Sequence, residues 1–282
     1  MAVRHILFPT DFSPRCEAMV PLVTALARRF DAKVTILHVV ESVRISSDFA
    51  PLEHHLATII EELRGQLDHY QEDAFRGLVV DRDFRIGHAV DEIVNAAEAA
   101  APGFIVMPTH GLTRYRELLL GSITAGVLHD TESPVLTSAH AAELPEYKAL
   151  PHTIVCAVDL SEASSGVLTA ASQFAAAVGS SLRVIHALPS FGLAAGFANI
   201  EWEVQAQNRR KEYAALAAAA FVSAPVEIVT GDNVNAAILD DLKAANADLL
   251  IIGRGKTQGL LGRLRTGAHE LIRRSRCPVL SI

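Results

Sequence analysis

Apolar residues along this chain follow two rhythms that alternate in a fixed order. Short unbroken runs, such as ILF at 6–8 and FIVM at 104–107, have strand length and read as strands covered on both faces. Between them apolar positions recur every three or four residues. Met19, Leu22, Val23, Leu26 and Phe30 form one such stripe, and Leu56, Ile59, Ile60, Leu63, Leu67 and Tyr70 another, as on an amphipathic helix. The first half therefore predicts a strand over 4–9 and a helix capped by Ser13, with Pro14 at its first position, running to Phe30. A strand over 33–40, a helix over 52–76, a strand over 78–84, a turn at Gly87 and a helix over 89–99 follow. A strand over 104–107, a helix from Gly121-Ser122 to about Asp130 and a last strand over 135–137 close the half. Alternation of this kind predicts an α/β, doubly wound, mainly parallel five-stranded sheet with helices on both faces.

The second half repeats the order. ILFPTDFSP at 6–14 answers IVCAVDLSE at 154–162, pairing Asp11 with Asp159, and His38 pairs with His186, both at an offset of 148. Gly87 with Gly231, Gly111 with Gly255 and Pro134 with Pro278 are offset by 144. A repeat of this length is a domain rather than a solenoid unit. The expected organisation is two tandem copies, domain 1 over 1–140 and domain 2 over 150–282, joined by the polar, proline-bounded piece 138–152.

Composition narrows the function classes. Half the residues are hydrophobic and 20% charged, as in a globular protein with a full core. A net charge of −7 argues against a general binder of nucleic acid or anionic membranes. Cys16, Cys156 and Cys277 are far apart and form no C-x-x-C pair, which fits buried thiols in a reducing compartment. The first apolar run ends at Pro9, one strand long, and no apolar segment approaches bilayer length, so a cytoplasmic protein is expected.

Candidate chemistry concentrates in 104–122. A strand runs into Pro108-Thr109-His110-Gly111, and Gly121-Ser122 then opens a helix. A glycine at a strand end lets backbone approach a ligand, and a helix start offers free N–H groups to a phosphate. The plain alternative is that both glycines serve tight connections. Ligands of doubly wound sheets bind beyond the carboxyl ends of the strands, where Pro9, Thr10, Asp11, Val39 and residues 107–111 converge. Taken singly, Asp11 is equally a helix-capping carboxylate, Val39 core packing and His110 a solvated loop residue. The histidines His54, His55, His69, His110, His129 and His140 show no metal-binding spacing. Without a P-loop, a nucleophile elbow or a base poised over a γ-phosphate, an enzyme is not expected.

Taken together and in order, these pieces resemble the universal stress protein family. They are Pro9-Thr10-Asp11-Phe12-Ser13, Leu37-His38-Val39, Gly87, Thr109-His110-Gly111 with Gly121-Ser122, and Ser133-Pro134-Val135-Leu136. The resemblance covers both halves and implies a Rossmann-like fold akin to adenine nucleotide alpha hydrolases. ATP-binding members carry G-x2-G-x9-G-[ST]; Gly111, Gly121 and Ser122 match, while Pro108 replaces the first glycine and lacks its N–H. The resemblance implies that Asp11 and Val39 hold an adenine edge. It places Met107, Thr109, His110 and Gly111 along ribose and phosphates, and Gly121, Ser122 and Ile123 at the phosphate tail, with Mg²⁺ beside a triphosphate. The implied function is a cytoplasmic stress-response protein binding ATP or a related adenine nucleotide weakly in domain 1, as a sensor or switch. Domain 2 would be degenerate: its loop is Gly253-Arg254-Gly255, and Arg265-Thr266 stands for Gly121-Ser122. Arg254, Lys256, Arg263 and Arg265 give it a basic rim. Family members also pair through their last strands, here 135–137 and 279–282, which implies self-association as a dimer. The alternative is a nucleotide-free member acting through protein–protein contact.

Overall fold

Ser13 starts the first helix as its sequence requires: the hydroxyl accepts the Cys16 amide at 3.3 Å, and Pro14 needs no donor partner at the first position. A computed structural model describes residues 3–41, 50–101, 103–109, 120–139, 150–190, 198–254 and 266–282. The first copy runs β1 (His5–Pro9), α1 (Pro14–Phe30), β2 (Lys33–Glu41), α2 (Ala50–His69), β3 (Val80–Gly87), α3 (Ala89–Ala100), β4 (Phe104–Pro108), α4 (Ser122–Asp130) and β5 (Val135–Ser138). The second runs β6 (Thr153–Ala157), α5 (Ser164–Val178), β7 (Ser181–Pro189), α6 (Ala198–Ala219), β8 (Val226–Gly231), α7 (Val234–Ala244), β9 (Leu249–Ile252), α8 (Thr266–Arg274) and β10 (Val279–Ser281).

Strand order is β3-β2-β1-β4-β5 in the first copy and β10-β9-β6-β7-β8 in the second. The pairs β1–β2, β1–β4, β2–β3, β6–β7, β6–β9 and β7–β8 are all parallel. The chain thus leaves β1 toward one side and returns at β4 on the other, and β6 and β9 do the same. Crevices at the carboxyl ends of these two pairs are where such a sheet accommodates ligands. The short apolar runs are buried on both faces: Ile6, Phe8, Val34, Ile36, Phe104, Ile105 and Val106 are fully covered, as are Met19, Val23 and Leu26 of α1.

Both copies repeat one unusual turn. Phe12 and Leu160, at the offset of 148, have φ near +60°, a left-handed conformation that side chains seldom adopt. Phe12 thereby stacks on the His38 ring with centroids 4.3 Å apart. Register also refines the repeat. Ile6 pairs with Phe104 and Ile154 with Leu249, so the copies are offset by 145 in β4 and β9, which aligns Pro108 with Gly253. The caps His88 and Asn233 show the same offset, one residue having been added after Gly231.

Two elements differ from the sequence pattern. The helix expected to reach 76 stops at His69, and Gln71 takes φ +52°. Its last carbonyls are claimed from outside the helix: Arg82 of β3 donates Nε to Leu67 O at 2.8 Å and Nη2 to Tyr70 O at 3.2 Å. Strand β3 then begins two residues later than expected and includes Gly87, which pairs with Glu41 instead of forming a turn. Most of the expected linker, 140–149, lies outside the described residues. By compactness Ala2–Val135 belongs to one unit, and Leu136–His140 with Leu150–Ile282 to the other.

Candidate functional site

The rim of the first copy is built by backbone geometry. Thr10 N donates to Leu37 O at 2.8 Å, extending the β1–β2 ladder past the strand end. His38 Nδ1 donates to Thr10 O at 2.7 Å; a carbonyl only accepts, so the proton sits on Nδ1. Burial lowers the His38 pKa, so the neutral ring is the favoured form here. Asp11 Oδ1 accepts the Ser13 amide at 3.0 Å and the Cys16 thiol at 3.1 Å, bracing the start of α1. Burial foremost, with the Asp11 charge adding to it, pushes the Cys16 thiol up to about 12, so it acts as a donor and not a nucleophile.

Across the crevice, β4 delivers Met107 and Pro108, and α4 starts beyond them. Gly121 is its N-cap and carries no side chain to cap the first turn, while its own N–H donates to Thr109 O at 2.9 Å. Thr124 Oγ1 donates to Pro108 O at 3.0 Å, tying the helix start to the strand end. A hollow of about 100 Å³ lies between these parts. Among the residues expected from sequence, Pro9, Thr10, Asp11, Val39, Met107 and Ile123 line it. Gly121 and Ser122 stand at the helix start, next to the lining residue Ile123, and Thr109 is buried. His110 and Gly111 lie outside the described residues, as do Lys256, Arg263 and Arg265.

Pro108, within the expected stretch 107–111, also lines it, while sequence reading missed Cys16, Leu37, Ala89, Ile93 and Thr124 as lining residues. Strand alternation contained part of the signal, since Leu37 shares a face with Val39. Helix spacing contained another part, because Ala89 and Ile93 lie one turn apart. Among the described residues no group of three or more His, Cys, Asp or Glu is placed to hold a metal ion.

The second copy has the larger hollow, about 770 Å³, between β6, β9 and the starts of α7 and α8. Asp159 Oδ1 accepts Ser161 N at 3.0 Å, Ser161 Oγ at 2.6 Å and Ser164 Oγ at 2.9 Å. Glu270 of α8 accepts Asn235 Nδ2 at 2.6 Å and Arg274 Nη1 at 2.7 Å. These hydrogen bonds, that of Asn235 foremost, hold its carboxyl below the usual range. Arg254, just past β9, is buried rather than solvated on a basic rim.

The model of the Universal stress protein family matches residues 2–138 and again residues 151–282. The chain belongs to this family. It is a tandem member, with two Usp domains of α/β fold. A universal stress protein of Methanocaldococcus jannaschii is 28% identical over 150 residues, 47% of this chain and 93% of that protein. One from Synechocystis is 31% identical over 124 residues, 41% of this chain and 42% of that protein. The crystal structure of a universal stress protein from Archaeoglobus fulgidus covers 98% of this chain and 95% of its own, with a TM-score of 0.69 at 24% identity, and so shares the fold. No helix among the described residues is long and apolar enough to cross a membrane.

Proposed function

We propose that this universal stress protein binds ATP or a related adenine nucleotide weakly in its first domain, as a sensor or switch in a cytoplasmic stress response. The start of α4 carries this reading: Gly121 caps the helix without a side chain, so no cap claims the first-turn amides at the edge of the hollow. Asp11 and Val39 would meet the adenine edge, with Pro9, Thr10 and Met107 as walls. Thr109, His110 and Gly111 would follow ribose and phosphates to Gly121, Ser122 and Ile123, and Mg²⁺ would accompany a triphosphate. Weakness follows from Pro108, which supplies no N–H where the ATP-binding pattern of the family has a glycine. Binding without turnover fits the lining, where Asp11 is the one carboxylate among the described residues and its Oδ1 already serves Ser13 and Cys16. Self-association through 135–137 and 279–282, and an interaction with an unidentified protein partner, belong to the same proposal.

Calorimetric titration of the whole chain with ATP and Mg²⁺ tests it. Weak heat is expected from the wild type, tighter binding from Ile123→Ala, and none at this site from Gly121→Arg. A nucleotide-free protein acting through protein contacts is the second reading, favoured by Pro108, which has no N–H and whose carbonyl is committed to Thr124. Absence of heat from both wild type and Ile123→Ala, with any adenine nucleotide, would overturn the first reading and favour the second.

A further inference from the structure

A separate hollow of the first domain lies on the same sheet face as its crevice, at the opposite end of the strands. Ala96, Ala99 and Ala100, in the last turns of α3, face it from one side. The amino ends of β1, β2 and β3 form its floor, with alternate residues turned toward the helix. Its volume is about 840 Å³, within the roughly 300–1,000 Å³ of small-molecule sites.

The aligned place in the second domain is taken by a guanidinium of the chain itself. Leu7 pairs with Thr35 and Val155 with Arg183, so Arg183 stands where the first copy has Thr35. By the same register Glu227 stands for Asp83, and the helix caps align Asp241 with Ala96. Arg183 donates Nε to Glu227 Oε1 at 2.8 Å and Nη2 to Oε2 at 2.6 Å. Its Nη2 also lies 2.9 Å from Asp241 Oδ1. Such a fork on a carboxylate fixes a guanidinium in orientation as well as in charge. The first copy keeps the strand carboxylate, as Asp83. A threonine and an alanine stand where the arginine and the helix carboxylate would be.

The charges around the first hollow suit a cation from outside. Asp83 Oδ2 accepts Arg85 Nε at 2.9 Å, and Asp81 Oδ2 pairs with Lys33. Among the described residues Oδ1 of each has no protein partner. Arg85 has a second counter-charge in Glu92 at 3.4 Å, and Arg82 spends its guanidinium on the Leu67 and Tyr70 carbonyls. The last turn of α3 holds no basic residue, and the carboxyl end of a helix favours a positive charge. His5 adds no charge of its own: its Nε2 lies 2.8 Å from Thr35 Oγ1, and burial foremost lowers its pKa.

We propose that this hollow binds a small guanidinium compound of amino-acid size, held by Asp83 and Asp81 in the place that Arg183 takes in the second domain. Helix α3 then roofs two sites, this one with its last turns and the crevice with Ala89 and Ile93. The proposal does not rest on the nucleotide reading, and different substitutions disable the two sites.

The test is equilibrium dialysis of the full chain with L-arginine, agmatine and L-citrulline at millimolar concentration. Arginine and agmatine are expected to bind, and citrulline, of the same shape without the charge, about tenfold or more weakly. Asp83→Asn should remove most of that preference. Thr35→Arg together with Ala96→Asp installs the clamp of the second copy and should abolish arginine binding, with circular dichroism and the urea midpoint reporting whether the variant is folded. Gly121→Arg, which disables the crevice, should leave arginine binding unchanged. Citrulline binding as tightly as arginine, or arginine binding untouched by Asp83→Asn or by the folded double variant, would overturn the proposal. So would loss of arginine binding in Gly121→Arg, or no binding of either guanidinium compound at millimolar concentration.

Discussion

The Cys16 thiol donates to Asp11 Oδ1 across 3.1 Å. The Ser13 amide shares that oxygen at 3.0 Å, so the carboxylate facing the first hollow also anchors the amino end of α1. Structure and ligand contact therefore compete for one side chain. Asp11→Asn keeps an acceptor oxygen for Ser13, whereas Asp11→Ala removes it and leaves a buried thiol without its acceptor. Urea unfolding is expected to show a loss of about 1–2 kcal/mol for Asp11→Ala and less for Asp11→Asn. Equal losses would show that the charge, not the acceptor geometry, braces the loop.

Burial of His38 makes the same rim sensitive to acid, with its hydrogen bond to Thr10 O acting in the opposite direction. Burial lowers the pKa of His38 in the folded chain, so below about 6.5 the unfolded chain takes up the proton first. Stability is thus fully present above 6.5 and declines as pH falls toward the lowered folded value. Urea midpoints measured between pH 7.5 and about 5 should fall more steeply for the wild type than for His38→Gln. Parallel slopes would remove His38 from the account.

Gly87 and Gly231 end aligned strands but meet different neighbours. A Cβ at Gly231 would stand 2.8 Å from the Ala237 backbone nitrogen, which cannot move without shifting α7. At Gly87 it would meet the Glu92 side chain at 2.8 Å, and that side chain can swing away at the expense of its 3.4 Å contact with Arg85. Gly231→Ala is expected to cost about 1–3 kcal/mol, and Gly87→Ala clearly less. Thermal unfolding of the two variants side by side checks the order.

Pro108 aligns with Gly253, so the second copy keeps a glycine where the first has lost an amide donor. Replacing Pro108 with Gly returns that donor beside the start of α4 and should tighten ATP binding in titration. Unchanged affinity would show that space, as set by Ile123, is the limit instead.

The fold was legible because its signals are local. Strands covered on both faces announce themselves as runs like ILF and FIVM, Ser13-Pro14 announces a helix start, and the repeat multiplies each signal by two. The end of α2 was not legible, since Arg82, well beyond it in sequence, claims the carbonyls of Leu67 and Tyr70. The site divided in the same way. Asp11, Met107 and Gly121 stand out by residue type and spacing. The second hollow is lined by Ala157, Ala187 and Gly267 among others, which say nothing until the sheet places them on the rim with Asp159.

The left-handed turn shared by Phe12 and Leu160 has one more consequence. Because φ near +60° is costly for any residue with a side chain, its occurrence in both copies shows that the geometry is held with an aromatic and with an aliphatic residue alike. What the two copies share there is the direction in which the chain leaves the first strand of each. A glycine in that position would relieve the strain, and it would also let the path wander.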